Sequence, residues 1–309
     1  MKKDTIFFLT DFDETELKSK IEELLSVISE SDKKIFSKYV ELTRHIIELD
    51  KLFYVFRYNL KNLLDHFTLY TNDLIERLDN DLTEDQYYYQ INALTINLIS
   101  SAKTLTESIE VCMKNFLPKE TFDSFKLRIL SKPYDECFSY RFLLHLRNYS
   151  QHGHLPVNIH DQRAYFDLDD ILSMPHFDLK KSLKEEIREL KVDIYNEFGH
   201  LPYISYVHTI AKFNLVITEI YSNYLNEIKP VLMGLNEEKS ELLHDTKFQL
   251  INLDRSISNT VFYDFDGENY HCFNRNDNSI ATYAGMKKEA KKILKKETQY
   301  YKEIEIKNR

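Results

Sequence analysis

Tryptophan is absent from this chain, and helix-breaking residues are scarce: Gly 5 and Pro 6 in 309 residues. A chain so poor in turn-formers is built from long elements, so the composition predicts an all-α or nearly all-α fold. The three cysteines, Cys112, Cys137 and Cys272, are odd in number, far apart and without a CxxC pair. That excludes a disulfide framework and fits a reduced, intracellular chain. No run of about 18 apolar residues is present to span a membrane. The apolar run in the opening MKKDTIFFLTDFDE is too short for a signal peptide. The expectation is a soluble, cytoplasmic protein with no membrane partner. An excess of positive charge is also missing, the net charge being -9. Any contact with nucleic acid must then be local, in a pocket, rather than spread over a basic face. Neither GxxxxGK nor GxGxxG occurs, which argues against a nucleotide-driven enzyme.

What is present is apolar and aromatic. Hydrophobic residues make up 43%, with Tyr 21 and Phe 20, enough for a sizeable core. From Ile35 through Tyr39, Leu42, Ile46, Leu49, Phe53, Phe56, Leu60, Leu63, Phe67 and Tyr70 to Leu74, apolar residues recur in alternating steps of four and three. This heptad seam predicts one helix over 33–79, about 70 Å long. Ile47, Leu52, Val55 and Leu64 flank the seam and widen it, which suits a bundle helix; a dimerisation seam is the other reading.

A second helix is expected from a cap at Thr83 or Asp81 to Pro118. A third spans PYDECFSYRFLLHLRNYSQHG, with Pro133 at its first turn and Gly153 stopping it. A looser segment follows, then a helix from Lys180 to Phe198 ended by Gly199. Two more helices run from about Tyr203 to Ile228 and from about Val231 to Leu253. GHLP occurs twice, at Gly153–Pro156 and Gly199–Pro202, and reads both times as a helix stop. TVFYDFDGENYHCF switches to period two around Asp266-Gly267, the one good hairpin. The charged tail reads as a solvated helical arm. The expected division is an all-α domain over 1–255, with its motif core at about 83–156, and a hairpin plus charged helix over 256–309.

The segment RNYSQHGHLP carries the chemistry. The spacing of Arg147 and His152 says little alone, but its context says more. Phe138, Phe142, His145, Tyr149 and His152 fall on one helical stripe that turns from apolar to polar. The bundle interior is thus expected to open into a polar pocket at this helix end. Histidine exchanges a proton near neutral pH, and arginine offers a charged fork matched to phosphate. Such a pair suits RNA cleavage without a metal. His152 would take the 2′-OH proton or protonate the leaving 5′-oxygen, Arg147 would neutralise charge on phosphorus, and Asn148 would hold one of the participants. The products would be a 2′,3′-cyclic phosphate and a 5′-OH. In a regular helix the two residues lie about 140° apart. A distorted last turn or a second copy of the chain is needed to bring them to one phosphate.

An all-α chain with a helix ending in Arg147-Asn148-x-x-x-His152 resembles the HEPN ribonucleases. His154 satisfies the longer spacing that the family also uses. The resemblance covers residues 83–156. It implies a HEPN-like helical bundle, no cofactor, RNA as substrate, and a homodimer in which two motifs share a cleft. It also implies a toxin or phage-defence role, with an antitoxin or sensor as a further partner. His154 stands where one HEPN group has a tyrosine that a partner enzyme modifies, so that control does not carry over.

Supporting roles near the motif fall to His154, Tyr149, His145 and Glu107. Glu107 and Glu110 either orient Arg147 and His152 or belong to a solvated face. His152, His154 and His160 cluster with Asp161, Asp167, Asp169 and Asp170, but no HExxH or Cys/His pair has metal-ligand spacing. His66 and His208 read as satisfied bundle histidines. The alternative to an endoribonuclease is a non-catalytic helical binding or regulatory protein, which the acidic charge and the heptad seam would serve.

Overall fold

The computed structural model describes residues 14–72, 83–151, 154–160, 163–173, 181–190, 192–196, 199–244 and 260–307, so the expected run of the helix from Val231 on to Leu253 lies outside the described residues beyond His244. The chain is predominantly α-helical, with small antiparallel sheets. In order the elements are α1 (Glu14–Val27), α2 (Glu30–Asn72), α3 (Glu84–Phe116), α4 (Lys119–Phe125), a π-helical turn (Lys126–Ser131), α5 (Lys132–Glu136) and α6 (Phe138–Gln151). Then come β1 (Val157–His160), β2 (Arg163–Asp167), α7 (Leu168–Ser173), α8 (Lys181–Leu190), β3 (Val192–Asn196) and β4 (Gly199–Ser205). The last are α9 (Tyr206–Glu227), α10 (Lys229–His244), β5 (Thr260–Phe265), β6 (Tyr270–Asn274) and α11 (Ser279–Lys307).

The heptad seam becomes α2. Tyr39, Leu42, Ile46, Leu49, Phe53, Phe56, Leu60 and Leu63 are all buried. The flanking Ile47 and Val55 are exposed, because each lies about 100° or more from the seam. The stripe is therefore narrower than the sequence suggests. The expected extension to residue 79, with Leu74, lies outside the described residues. Thr83 rather than Asp81 starts α3. Its hydroxyl accepts from Gln86 N at 3.2 Å, and the Gln86 side chain accepts from Thr83 N at 2.9 Å, a reciprocal capping box.

Three expectations are corrected. The predicted third helix is two helices, parted where Cys137 is extended at φ -110, ψ 105. Arg141 makes the break tolerable: its Nη1 donates to the carbonyls of Tyr134 and Asp135, each at 2.7 Å, and Nη2 pairs with Glu186. The last carbonyls of α5 are thus satisfied by a side chain. Secondly, the segment read as loose coil and a helix to Phe198 holds a four-stranded antiparallel sheet ordered β1-β2-β4-β3. α8 stops at Leu190, and Val192-Asp-Ile-Tyr-Asn pairs with β4, Ile194 opposite Leu201. Gly199 opens a strand, so its GHLP is no helix stop. The hairpins β1–β2 and β3–β4 accompany the predicted β5–β6. Thirdly, α11 is no solvated arm, since Tyr301 and Ile304 pack on Ala211 and Leu215 of α9.

The predicted hairpin turns at Gly267, which takes φ 97, a conformation open to glycine. Asp266 accepts from the backbone N–H of Asn269 at 2.7 Å and of Glu268 at 2.9 Å. Those bonds hold its carboxyl down to about 2.

The chain divides into two compact units. The first combines Met1–His45 with Lys229–Tyr283. Its core joins Leu24, Ile28 and Phe36 to Val261 and Tyr263 of β5. Buried Lys239 lies 4.0 Å above the Tyr39 ring and 3.1 Å from Asp277, which also accepts the Tyr39 hydroxyl at 2.9 Å. The second combines Ile46–Ile228 with Ala284–Arg309. Its centre is α9, buried on most sides through Ile210, Phe213, Ile217, Tyr221 and Tyr224. Phe53 stacks on Tyr221 at 4.0 Å. Arg57 of α2 donates to Glu297 of α11 at 2.7 Å and to Asn214 of α9 at 3.0 Å, and Asn214 donates to Glu297 at 2.6 Å.

Glu297 is only 7% exposed, so removing its cation leaves a charge with no water to solvate it. Arg57→Met is expected to cost about 3–5 kcal/mol in urea unfolding. Arg57→Met with Glu297→Leu should recover most of the loss. A double variant as unstable as the single one would show that packing, not the stranded charge, is responsible.

Candidate active site

The motif sits at the end of α6, and burial of one stripe holds that helix in place. Tyr140, Phe142, Leu143 and Leu146 are buried, and α6 packs on α3 and α9. Phe142 meets Phe166 of β2 edge-on at 5.2 Å, and Phe166 meets Tyr206 at 5.2 Å. α6 runs antiparallel to α3. Near its start Tyr140 lies beside Thr106, while just past its end Val157 is gripped by Asn92. Asn92 Nδ2 donates to Val157 O at 2.7 Å, and Val157 N donates to Asn92 Oδ1 at 2.9 Å. The buried amide mimics a neighbouring strand, pairing both backbone groups of Val157.

Arg147, in the last turn but one of α6, is half-buried, and its Nε is enclosed without a hydrogen-bond partner among the described residues. Asn148 beside it is exposed. His145 is half-buried and its Nε2 meets the Tyr134 hydroxyl at 2.8 Å. It is directed toward α5 rather than along the helix to the motif. Tyr149 lies in α6, with its side chain outside the described residues, and His152 lies outside them altogether. His154 is half-buried just before β1. Glu107 is exposed and 3.7 Å from Lys103, one turn back on its own helix; Glu110 accepts from Lys126 at 2.6 Å. Both carboxylates thus have lysine partners. Arg147 and Asn148 stand together at the helix end, and Glu107 is engaged elsewhere.

Of the residues considered for a metal, His152 and Asp161 lie outside the described residues, as do the side chains of His160, Asp167 and Asp169. Among the described residues no group of three His, Cys, Asp or Glu is arranged to hold an ion. Burial pushes the Cys137 thiol above its ordinary value, which keeps it protonated and poorly nucleophilic.

Asn92 escaped the sequence reading; its one mark is an amide between Ile91 and Thr95 on a face that is otherwise core. His66, read as a satisfied bundle histidine, stacks on Tyr87 at 4.8 Å, and its Nε2 is enclosed with no hydrogen-bond partner among the described residues. His208 has its partner, the Tyr301 hydroxyl at 2.9 Å. The expectation of a satisfied bundle histidine is corrected for His66, whose Nε2 has no partner among the described residues, whereas the same nitrogen of His208 has one. Tyr87 belongs to the first turn of α3, the end toward which α6 runs. Burial lowers the pKa of His66, a backbone bond at Tyr87 opposing it, and burial lowers that of His208.

No family model, curated protein or solved structure matches the chain.

Asn92→Leu should cost about 1–3 kcal/mol for each of the two Val157 groups it strands, read by urea unfolding. An unchanged midpoint would mean that water or another group replaces the amide. The histidines set a pH dependence. Each is lower in the folded state than its unfolded value of about 6.5. Their neutral forms therefore favour folding above that pH, and the advantage is lost as pH falls through the folded pKa. The unfolding midpoint should drop between pH 7 and pH 5.5, and His66→Phe should shrink the drop. An equal drop in wild type and variant would remove His66 as its source.

Proposed function

We propose that this protein is a metal-independent endoribonuclease of the HEPN type, cytoplasmic, working as a homodimer and requiring no cofactor. Its substrate is RNA. The 2′-hydroxyl attacks the adjacent phosphorus as its proton passes to a base, the P–O5′ bond breaks, and the leaving oxygen is protonated. His152 exchanges these protons, Arg147 neutralises the phosphate oxygens, and Asn148 orients one of them. The products are a 2′,3′-cyclic phosphate and a 5′-OH. A toxin or phage-defence role, with an antitoxin or sensor as partner, follows from the same resemblance.

The observation that carries this reading is Arg147. A half-buried guanidinium with an enclosed N–H that bonds nothing among the described residues costs about 1–3 kcal/mol, a cost explained if the group serves a ligand. The described residues on either side of His152 are held by the scaffold: Gln151 ends α6, and Val157 is clamped by Asn92.

The purified protein should cut single-stranded RNA in EDTA, leaving cyclic-phosphate ends. Arg147→Ala and His152→Ala should each slow cutting at least about 100-fold with unfolding midpoints near wild type. Wild-type rates in both variants would overturn the proposal. Loss in His154→Ala but not in His152→Ala would move the acid–base role to the longer spacing.

A further inference from the structure

Within the second unit, a groove of about 1160 Å³ lies between α2 and α11. Its lining joins apolar Leu60, Leu64 and Val207 to three tyrosines and three lysines. Tyr54, Tyr58 and Tyr300 are 49%, 65% and 39% exposed, whereas most aromatic rings among the described residues are buried. Tyr54 and Tyr58 are one turn apart on α2, with Cα atoms about 6 Å apart along the axis. Lys51 and Lys61 flank them, and Lys296 faces them from α11 one turn before Tyr300.

Charge argues for the occupant. The protein is acidic overall, yet between Lys287 and Lys296 its sequence has six lysines against a single glutamate. Lys288, Lys292 and Lys296 are exposed and recur every four residues, so they form one basic stripe leading to Tyr300. Of the groove's two carboxylates, Glu297 is neutralised by Arg57 and Asp65 contacts Lys61 at 2.6 Å. Lys51 contacts Glu48 at 2.7 Å. Such exposed pairs are worth about 0–1 kcal/mol, so a phosphate can displace them. Exposed rings flanked by cations in a groove with an apolar lining match a ligand with flat apolar faces and a regularly charged backbone.

We propose that this groove binds single-stranded nucleic acid, with bases stacking on Tyr54, Tyr58 and Tyr300 and phosphates meeting Lys51, Lys61 and Lys296. The site stands apart from Arg147 and does not depend on the cleavage reading. A protein without nuclease activity would still hold a polynucleotide here.

The test is fluorescence anisotropy with a labelled 12-nucleotide oligouridine and its deoxy counterpart, using Arg147→Ala protein so that no strand is cut. Tyr54→Ala with Tyr58→Ala should weaken binding at least 10-fold, while Tyr54→Phe with Tyr58→Phe should bind like the parent because the stacking face remains. Lys51→Gln with Lys61→Gln should weaken binding and flatten its salt dependence, each lost phosphate contact lowering the log–log slope by about one. All the changed positions except the partly buried edges of the rings face solvent, and circular dichroism checks that each variant is folded. Equal affinity in the parent and the alanine variant overturns the proposal. So does a parent that binds neither strand, or a groove variant that becomes monomeric with affinity unchanged, which would make the groove a contact between copies. Catalytic failure of Arg147 or His152 is read separately, as cutting rate, and leaves this result intact.

Discussion

The second unit depends on one ionic contact among three helices. Arg57, Glu297 and Asn214 come from α2, α11 and α9, which are distant in sequence, and each satisfies the others within 3.0 Å. Glu297 is buried, so its charge is tolerable only with the guanidinium and the amide in place. An apolar core would accept several sliding registers of α11 against its neighbours. A buried ion pair with a hydrogen-bonded third member accepts one. The aromatic packing around it, with Phe53 on Tyr221 and Tyr301 beside α9, follows from that register.

The same logic operates on a smaller scale at the motif helix. Burial of Phe142, Leu143 and Leu146 orients α6, and Arg141 closes the helix before it. Asn92 fixes the strand that follows. Arg147 and Asn148 thus stand on a packed helix that precedes a pinned strand, and this constraint belongs to the scaffold rather than to the two residues. Arg147 and Asn148 differ accordingly. One is half-enclosed with a donor to spare, and the other faces water. A guanidinium held this way has less freedom to lose when it meets an anion than one on a mobile surface loop.

Much of the helical architecture was legible because it rests on periodicity. The seam of α2 repeats over many turns, and the burial of its residues from Tyr39 to Leu63 follows the pattern. The Thr83 cap and the Asp266-Gly267 turn were legible because local chemistry decides them. The four-stranded sheet was not. β3 is five residues long and β1 four, too short for alternation to stand out, and each strand is stabilised by pairing with another rather than by its own sequence. The break at Cys137 was hidden too, since the carbonyls it frees are satisfied by Arg141 from the next helix. At the motif, the arginine and its polar neighbour could be singled out by residue type. Asn92 could not, because an asparagine in a helix gives no sign of which backbone it will meet.

By itself, the sequence determined the class of protein: long helices, because breakers are few and apolar residues keep a helical period. It also determined the turn at Gly267, because only a residue without a side chain takes that backbone shape freely. Tertiary structure alone decided which residues share a unit, since neither unit is a continuous stretch of chain. It decided too that the charged last helix has a buried face, because Glu297, Tyr301 and Ile304 find their partners on helices far away in sequence. The physical reason is the same in each case. Periodicity and turn chemistry act between near neighbours, whereas a buried charge or a sheet edge is satisfied only by groups that folding brings to it.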